Sequence, residues 1–276
     1  MPNETPDATP TDLTDVANWF DGRARVLFVH AHPDDETITT GGTLAALSEA
    51  GREPLLVTMT RGERGEVMAG PLQALAAPHG LAVARQNELR TAIGMLGLGR
   101  HVFLGVEPAR AEGHPPTIYE DSGMAWGEDG RATAGPDAGI DALTSVPVVE
   151  PLTDLLAAAQ QSGAQAIVSY DDGGGYGHPD HVLSHRLARA VAQALMIPFW
   201  EVTTAEAQAA AGDDPDHVYE AHDVAPWLDR KIAALRAHAT QVFVDGDELE
   251  HVGGQREPIR AVEVFRRVVP ETLPNE

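Results

Sequence analysis

Two short segments carry most of the chemistry in this chain: Ala31-His32-Pro33-Asp34-Asp35-Glu36 and, far along the sequence, His178-Pro179-Asp180-His181. The first places a histidine and two aspartates within four positions; the second places two histidines three apart. Two imidazoles and one carboxylate make up the ligand set of an open catalytic metal site, where water completes the coordination. The carboxylate and the histidine left over can then handle protons. This inventory points to a metal-dependent hydrolase. A lone His-Pro-Asp-His is more often a capped helix start than a metal site, so the reading depends on what positions the two segments.

The elements around them supply that argument. Apolar runs at Arg25 to His30, Pro54 to Thr60, His101 to Leu104 and Ala166 to Tyr170 read as strands. Helical patterns cover Thr37 to Ala50, Ala84 to Leu96, Leu152 to Gln161, His181 to Leu195 and Trp227 to Thr240. Strands separated by helices of this length predict an α/β fold, a Rossmann-like and mostly parallel sheet flanked by helices. Ligands of such sheets bind outside the carboxyl ends of the strands. The first motif follows the strand ending at His30, and the second follows the strand ending at Tyr170, after a glycine-rich loop.

Residues 1–22 read as a flexible leader that closes with a short helical segment, Asp15 to Phe20, docking Trp19 and Phe20 on the body. Residues 23–276 read as a single domain. An insertion at about 106–146, rich in Gly, Pro, Asp and Glu, is too long for an ordinary connection and is expected to be a functional loop or lid. The C-terminal third is expected to be less regular, with a last strand at Ala261 to Val269.

The bulk composition is that of an ordinary globular protein, 43% hydrophobic and 22% charged over 276 residues. A net charge of -23 argues against nucleic acid and anionic membranes as partners, because phosphate surfaces repel it. No cysteine is present, so metal ligands must be His, Asp or Glu. One lysine, Lys231, stands among many arginines, a pattern expected from codon bias. No apolar run approaches the ~20 residues needed to span a bilayer, and no signal segment is visible, so a cytoplasmic location is expected.

With both motifs at strand ends, the chain resembles the zinc-dependent de-N-acetylases that include N-acetylglucosaminyl-phosphatidylinositol deacetylase and the bacterial thiol-biosynthesis deacetylases. The resemblance runs from Arg25 to Ala192 and returns at Lys231 to Gln241, and it is strongest toward the mycothiol-pathway branch. It implies removal of the N-acetyl group from an amino sugar, N-acetylglucosaminyl-inositol in that branch. It also implies zinc held by His32, Asp35 and His181, with Asp34 as the base that takes a proton from the attacking water. His178 resembles the family histidine that stabilises the tetrahedral oxyanion, as a charged donor if protonated. Tyr176 matches a mobile tyrosine that helps polarise the carbonyl. Glu66, Arg85 and Asp121 fall at sugar- or inositol-binding positions. Asp180 is suited either to orient one imidazole or to cap the helix. Thr39 stands where the related mycothiol S-conjugate amidases carry lysine, which favours a deacetylase.

Two histidines and a carboxylate also suit ferrous iron. A deacetylase or amidase of another sugar or thiol conjugate is the nearest alternative function. A non-catalytic metal- or sugar-binding protein on the same fold is a more remote one, since Asp34 and His178 are both present. A small-molecule amino sugar is the expected partner; oligomeric state is not legible in the sequence.

Overall fold

The run Val26–His30 forms strand β1, buried along its whole length. Val26 and Phe28 join the apolar core on one face of the sheet, and Leu27 and Val29 join the core on the other. This double burial is why the run is continuously apolar rather than alternating. Residues 12–127, 132–212 and 218–268 are described by this computed structural model. After β1 come α1 (Asp35–Glu49), β2 (Leu55–Thr58), α2 (Pro78–Leu96) and β3 (His101–Phe103). The insertion carries a two-strand hairpin, β4 (Ala125–Trp126) and β5 (Ala132–Thr133), before α3 (Val149–Ser162) and β6 (Ala166–Ser169). Then follow α4 (Pro179–Leu195), β7 (Phe199–Thr203), α5 (Ala205–Ala211), β8 (Val218–Asp223) and α6 (Leu228–Ala237). The chain closes with β9 (Val242–Asp245), β10 (Glu248–His251), β11 (Arg256–Pro258) and β12 (Val262–Val268).

The main sheet has seven strands in the order β3-β2-β1-β6-β7-β12-β8. The first five are mutually parallel, and β12 runs antiparallel to both β7 and β8. The expected α/β architecture with a mostly parallel sheet is therefore the one observed. Helices α1, α2 and α6 cover the Val26–Phe28 face; α3 and α4 cover the other. The chain lays β2 and β3 on one side of β1 and β6 and β7 on its other side, which makes the β1/β6 junction the switch point of the sheet.

The C-terminal third, expected to be less regular, supplies three strands of the main sheet and a three-stranded antiparallel sheet, β11-β10-β9, packed over Leu235, Val242, Leu249 and Ile259. Its last strand is described to Val268; Val269 lies outside the described residues. The long helix expected at Trp227 to Thr240 is shorter, a 3-10 turn over Ala225–Trp227 leading into α6. Lys231 on α6 is 1% exposed, and its Nζ donates to Glu263 Oε1 at 2.7 Å. Glu263 also accepts from the backbone N–H of Gly42 and Thr43, so β12, α6 and α1 share one buried polar knot. At Gly42 an added Cβ would lie 2.4 Å from Cβ of Val224, so only glycine lets α1 approach this closely.

Residues 1–11 of the expected leader lie outside the described residues. From residue 12 the chain runs in turns rather than the expected helix, and Trp19 and Phe20 are buried. The Trp19 ring stacks on His222 at 3.8 Å. The insertion is anchored to α3 through buried Asp154, which accepts from Arg110 Nη1 at 2.8 Å, Ala111 N at 2.8 Å and the Tyr119 hydroxyl at 2.7 Å. Among the described residues no helix is long and apolar enough to cross a membrane.

Candidate metal centre and active site

Both motifs emerge at the β1/β6 switch point. His32 and Asp35 lie just past β1, Asp35 as the first residue of α1. His178 and His181 lie past β6 at the start of α4, where Pro179 occupies the first helical position. Proline is favoured there because its missing N–H would have no helical partner. His178 is itself the cap: its Nδ1 accepts the Asp180 backbone N–H at 3.2 Å.

Three donor atoms converge. His32 Nδ1 and His181 Nε2 stand 3.2 Å apart, and Asp35 Oδ2 lies 3.4 Å from the first and 3.3 Å from the second. Ligand atoms bound to one tetrahedral ion at ~2.0–2.2 Å are separated by about 3.3–3.6 Å, so this triangle has the dimensions of one face of such a site. All three residues are buried. His178 can bring a ring nitrogen within 4.8 Å of nitrogens on His32 and His181, and His32, Asp121, His178 and Asp180 form a second, overlapping group at that spacing. His32, Asp35 and His181, the ligand set implied by the resemblance, make the triangle at 3.2–3.4 Å.

The charge around the triangle suits a cation. The other ring nitrogen of His32, Nε2, faces Asp180 Oδ2 at 3.2 Å and Asp121 Oδ1 at 3.6 Å. Burial alone works against charge on His32, but the carboxylates of Asp121, Asp180 and Asp35 outweigh it and hold its pKa well above the ordinary value. Three carboxylates against two imidazoles make an electrostatic well for a positive ion. The cap of α4 is His178, and Asp180 instead faces His32. Its Oδ2 also accepts the Ser122 backbone N–H at 2.9 Å, which ties the insertion to the site. Carboxylates behind a ligating histidine typically govern affinity. Asp180→Ala is therefore expected to weaken metal binding about 10–100-fold, measured by chelator competition; unchanged affinity would remove Asp180 from this role.

Asp34 begins α1 without capping it. Its side chain makes no cap hydrogen bond, and its φ of 104° lies in a region that residues with a Cβ rarely adopt. Its Oδ1 accepts from Arg85 Nη2 at 3.1 Å. Burial pushes the Asp34 pKa up to about 6 against the pull of Arg85, close to the range useful for a base at neutral pH. A bound cation would pull it back down. Its backbone N–H donates to Glu36 Oε2 at 3.0 Å.

The remaining predicted residues are placed as follows. Arg85 is 4% exposed and spends its guanidinium on the carbonyls of Gly62 and Pro33 and on Asp34, so it is buried against Asp34 rather than presented to solvent. Asp121 is also buried, held by the backbone N–H groups of Arg64 and Gly123 beside His32. Glu66 is exposed, its backbone carbonyl accepting from Gln241 Nε2. His178 has its Nδ1 occupied by the Asp180 N–H, which leaves the ring proton on Nε2. Burial, with His32 and His181 nearby, lowers its pKa to about 3, which favours the neutral ring. Tyr176 is 59% exposed, with its ring 5.0 Å from His181. Trp126 is exposed on the β4–β5 hairpin and pairs with Ala132, whose Cβ lies 3.8 Å from the position a Cβ would take at Gly177.

Sequence reasoning missed two contributors. The Tyr170 hydroxyl donates to Asp35 Oδ2 at 2.7 Å and accepts the Ala31 N–H at 2.7 Å, while its ring stacks on His181 at 4.1 Å. Its place at the end of β6 was the available signal. His238, at the end of α6, faces Glu36 at 3.1 Å; it lies in the Lys231 to Gln241 segment where the resemblance returns, which was the available signal, though the contact itself was not announced.

The comparisons with known proteins agree with this geometry. The family model described as PIG-L: GlcNAc-PI de-N-acetylase matches residues 27–192. A 1D-myo-inositol 2-acetamido-2-deoxy-alpha-D-glucopyranoside deacetylase of Kineococcus radiotolerans is 37% identical, covering 86% of this chain and 74% of that protein. Among solved structures, N,N'-diacetylchitobiose deacetylase from Pyrococcus horikoshii superposes with a TM-score of 0.56 at 21% identity, covering 84% of this chain and 75% of that one. A deacetylase of teicoplanin biosynthesis superposes with a TM-score of 0.59 at 16% identity, covering 90% of this chain and 100% of that one. Those structural likenesses concern the fold; the family match and the sequence identity go further, and the chain belongs to the PIG-L, GlcNAc-PI de-N-acetylase family.

Proposed function

We propose that this de-N-acetylase hydrolyses the acetamide of an amino sugar, N-acetylglucosaminyl-inositol on the route to mycothiol, with zinc as its metal. The observation that carries the reading is the donor triangle of His32, Asp35 and His181 with the Asp34 carboxylate on the adjoining residue. The substrate rests on the relative at 37% identity that bears the corresponding name. Ferrous iron fits the same donors. A metal held by these three residues would polarise the acetamide carbonyl and lower the pKa of water to about 7.

The chain's own residues account for the proton traffic. Asp34 accepts a proton from the attacking water as its oxygen bonds to the carbonyl carbon. The C–N bond then breaks, and Asp34 passes the proton to the amine nitrogen, leaving acetate and the free amino sugar. His178 donates from Nε2–H to the developing oxyanion, as a neutral hydrogen bond rather than an ion pair. Tyr176, exposed beside His181, offers its hydroxyl to the same oxygen. Asp180 and Asp121 hold His32, Tyr170 holds Asp35, and Arg85 holds Asp34. Glu66 is placed to accept from sugar hydroxyls. Trp126 and Tyr176 offer aromatic faces to the apolar side of a pyranose.

The test is acetate release by metal-loaded protein from N-acetylglucosaminyl-inositol, N-acetylglucosamine and N,N'-diacetylchitobiose, with metal content measured on the same sample. Preferential release from the inositol conjugate is the expected result. Equal turnover of all three would overturn the substrate, and no release from any would overturn the deacetylase.

A further inference from the structure

We propose that His238 is a positioning residue for Asp34, acting through Glu36 to hold the base in its unusual backbone conformation. The proposal rests on the reading of Asp34 as the base. At φ 104° and ψ -37° Asp34 sits where a side-chain-bearing residue does not rest unaided, and such geometry persists only where its surroundings over-determine it. Its peptide groups are held on both sides. The Asp34 carbonyl accepts from the N–H of Thr37 at 3.0 Å and of Ile38 at 2.9 Å, which is the ordinary opening of α1. The Asp34 N–H points the other way, into Glu36 Oε2 at 3.0 Å. That bond fixes the peptide plane before the base, and it depends on where the Glu36 carboxylate is held.

Glu36 is fully buried and makes no contact with the donor triangle at hydrogen-bond distance among the described residues. Its other oxygen, Oε1, is gripped by the Thr37 hydroxyl and by His238 Nε2 at 3.1 Å. His238 is also fully buried, and Nε2 lies 3.3 Å from the Thr37 hydroxyl. Its Nδ1 has no partner among the described residues, so the ring's hydrogen bonding is directed entirely at Glu36 and Thr37. Without the His238 donor the buried carboxylate loses one of the two groups that fix Oε1 and is free to rotate, which weakens its hold on the Asp34 N–H.

The backbone at His238 is itself fixed. It ends α6 and accepts from the N–H of Gln241 and Val242, while Thr240 is clamped by Glu88 of α2. The base is thus braced from two directions: Arg85 holds its carboxylate, and the Glu36–His238 pair holds its backbone. The second brace comes from the C-terminal third, outside the span matched by the family model.

The experiment compares His238→Gln with His238→Asn in metal-loaded protein. Glutamine carries a donor to the place of Nε2; asparagine reaches only the place of Nδ1 and leaves Glu36 Oε1 with the Thr37 hydroxyl as its remaining donor. His238→Asn is expected to lower kcat about 10–100-fold, the scale of a misplaced catalytic group, with KM and metal content unchanged. His238→Gln is expected to restore most of that rate. In an Asp34→Asn background, His238→Asn is expected to add no further loss, since the group it positions is already disabled. An unchanged kcat, a loss of metal content, or an equal additional loss in that background would overturn the proposal. Full activity of Asp34→Asn alone would instead overturn the assignment of the base.

Discussion

Replacing Asp34 with asparagine is expected to lower kcat by about 10²–10⁴-fold while the protein keeps its metal. The proposed metal ligands are other residues, and the substitution leaves the His32–Asp35–His181 triangle untouched. Asparagine is the informative choice because it is among the few residues with a side chain that tolerate positive φ, whereas alanine at φ 104° would add a backbone cost of its own. Arg85 would keep the carbonyls of Gly62 and Pro33 as partners, so its guanidinium would not be stranded. The loss therefore isolates proton transfer: an amide cannot accept the proton from water. Steady-state rates and metal stoichiometry on the same preparation decide it. Turnover near that of the parent protein would remove Asp34 from the mechanism.

The largest effect on stability is expected from Asp154→Ala, a loss of about 3–5 kcal/mol read from the shift in denaturant midpoint, because it leaves a buried arginine without its counter-charge. Asp154 is fully buried and receives three donors from the insertion, those of Arg110, Ala111 and Tyr119. The same insertion delivers Asp121 and Ser122 to His32 and Asp180, so metal affinity should fall along with stability. Adding Arg110→Met to Asp154→Ala should recover part of the loss, because the stranded charge is then gone. A double variant no more stable than the single one would show that the hydrogen bonds to Ala111 and Tyr119, rather than the ion pair, dominate.

The parallel part of the fold was legible because its strands are buried on both faces. Val26–His30, Leu55–Thr58 and Ala166–Ser169 are apolar up to their last residue and buried throughout, and only a central parallel strand calls for that. The strands of the C-terminal third carry mixed signals. In β12 Glu263 faces inward to Lys231, while Arg266 pairs with Glu201 and Arg267 with Asp21, so polar side chains occupy both faces and blur the alternation. The motifs were legible because ligand chemistry is local in sequence, two or three donors at a strand end or a helix start. What holds the donors is not local. Tyr170 reaches Asp35 and His238 reaches Glu36 across the fold, and a lone tyrosine or histidine carries no mark of such a partner. Arg85 and Asp121 carried the opposite ambiguity: charged residues at expected sugar-binding positions that the fold buries against Asp34 and against His32.

The burial of Lys231 sets how the native protein meets its chemical surroundings. It is the chain's only lysine, and at 1% exposure the folded molecule presents no lysine ε-amine to solvent. Amine-directed reagents, acyl donors and ubiquitin transfer can reach that nitrogen only in molecules where α6 has parted from β12. The rate at which Lys231 is labelled thus reports the opening of that seam, and the intact fold is silent toward the whole class of lysine modification.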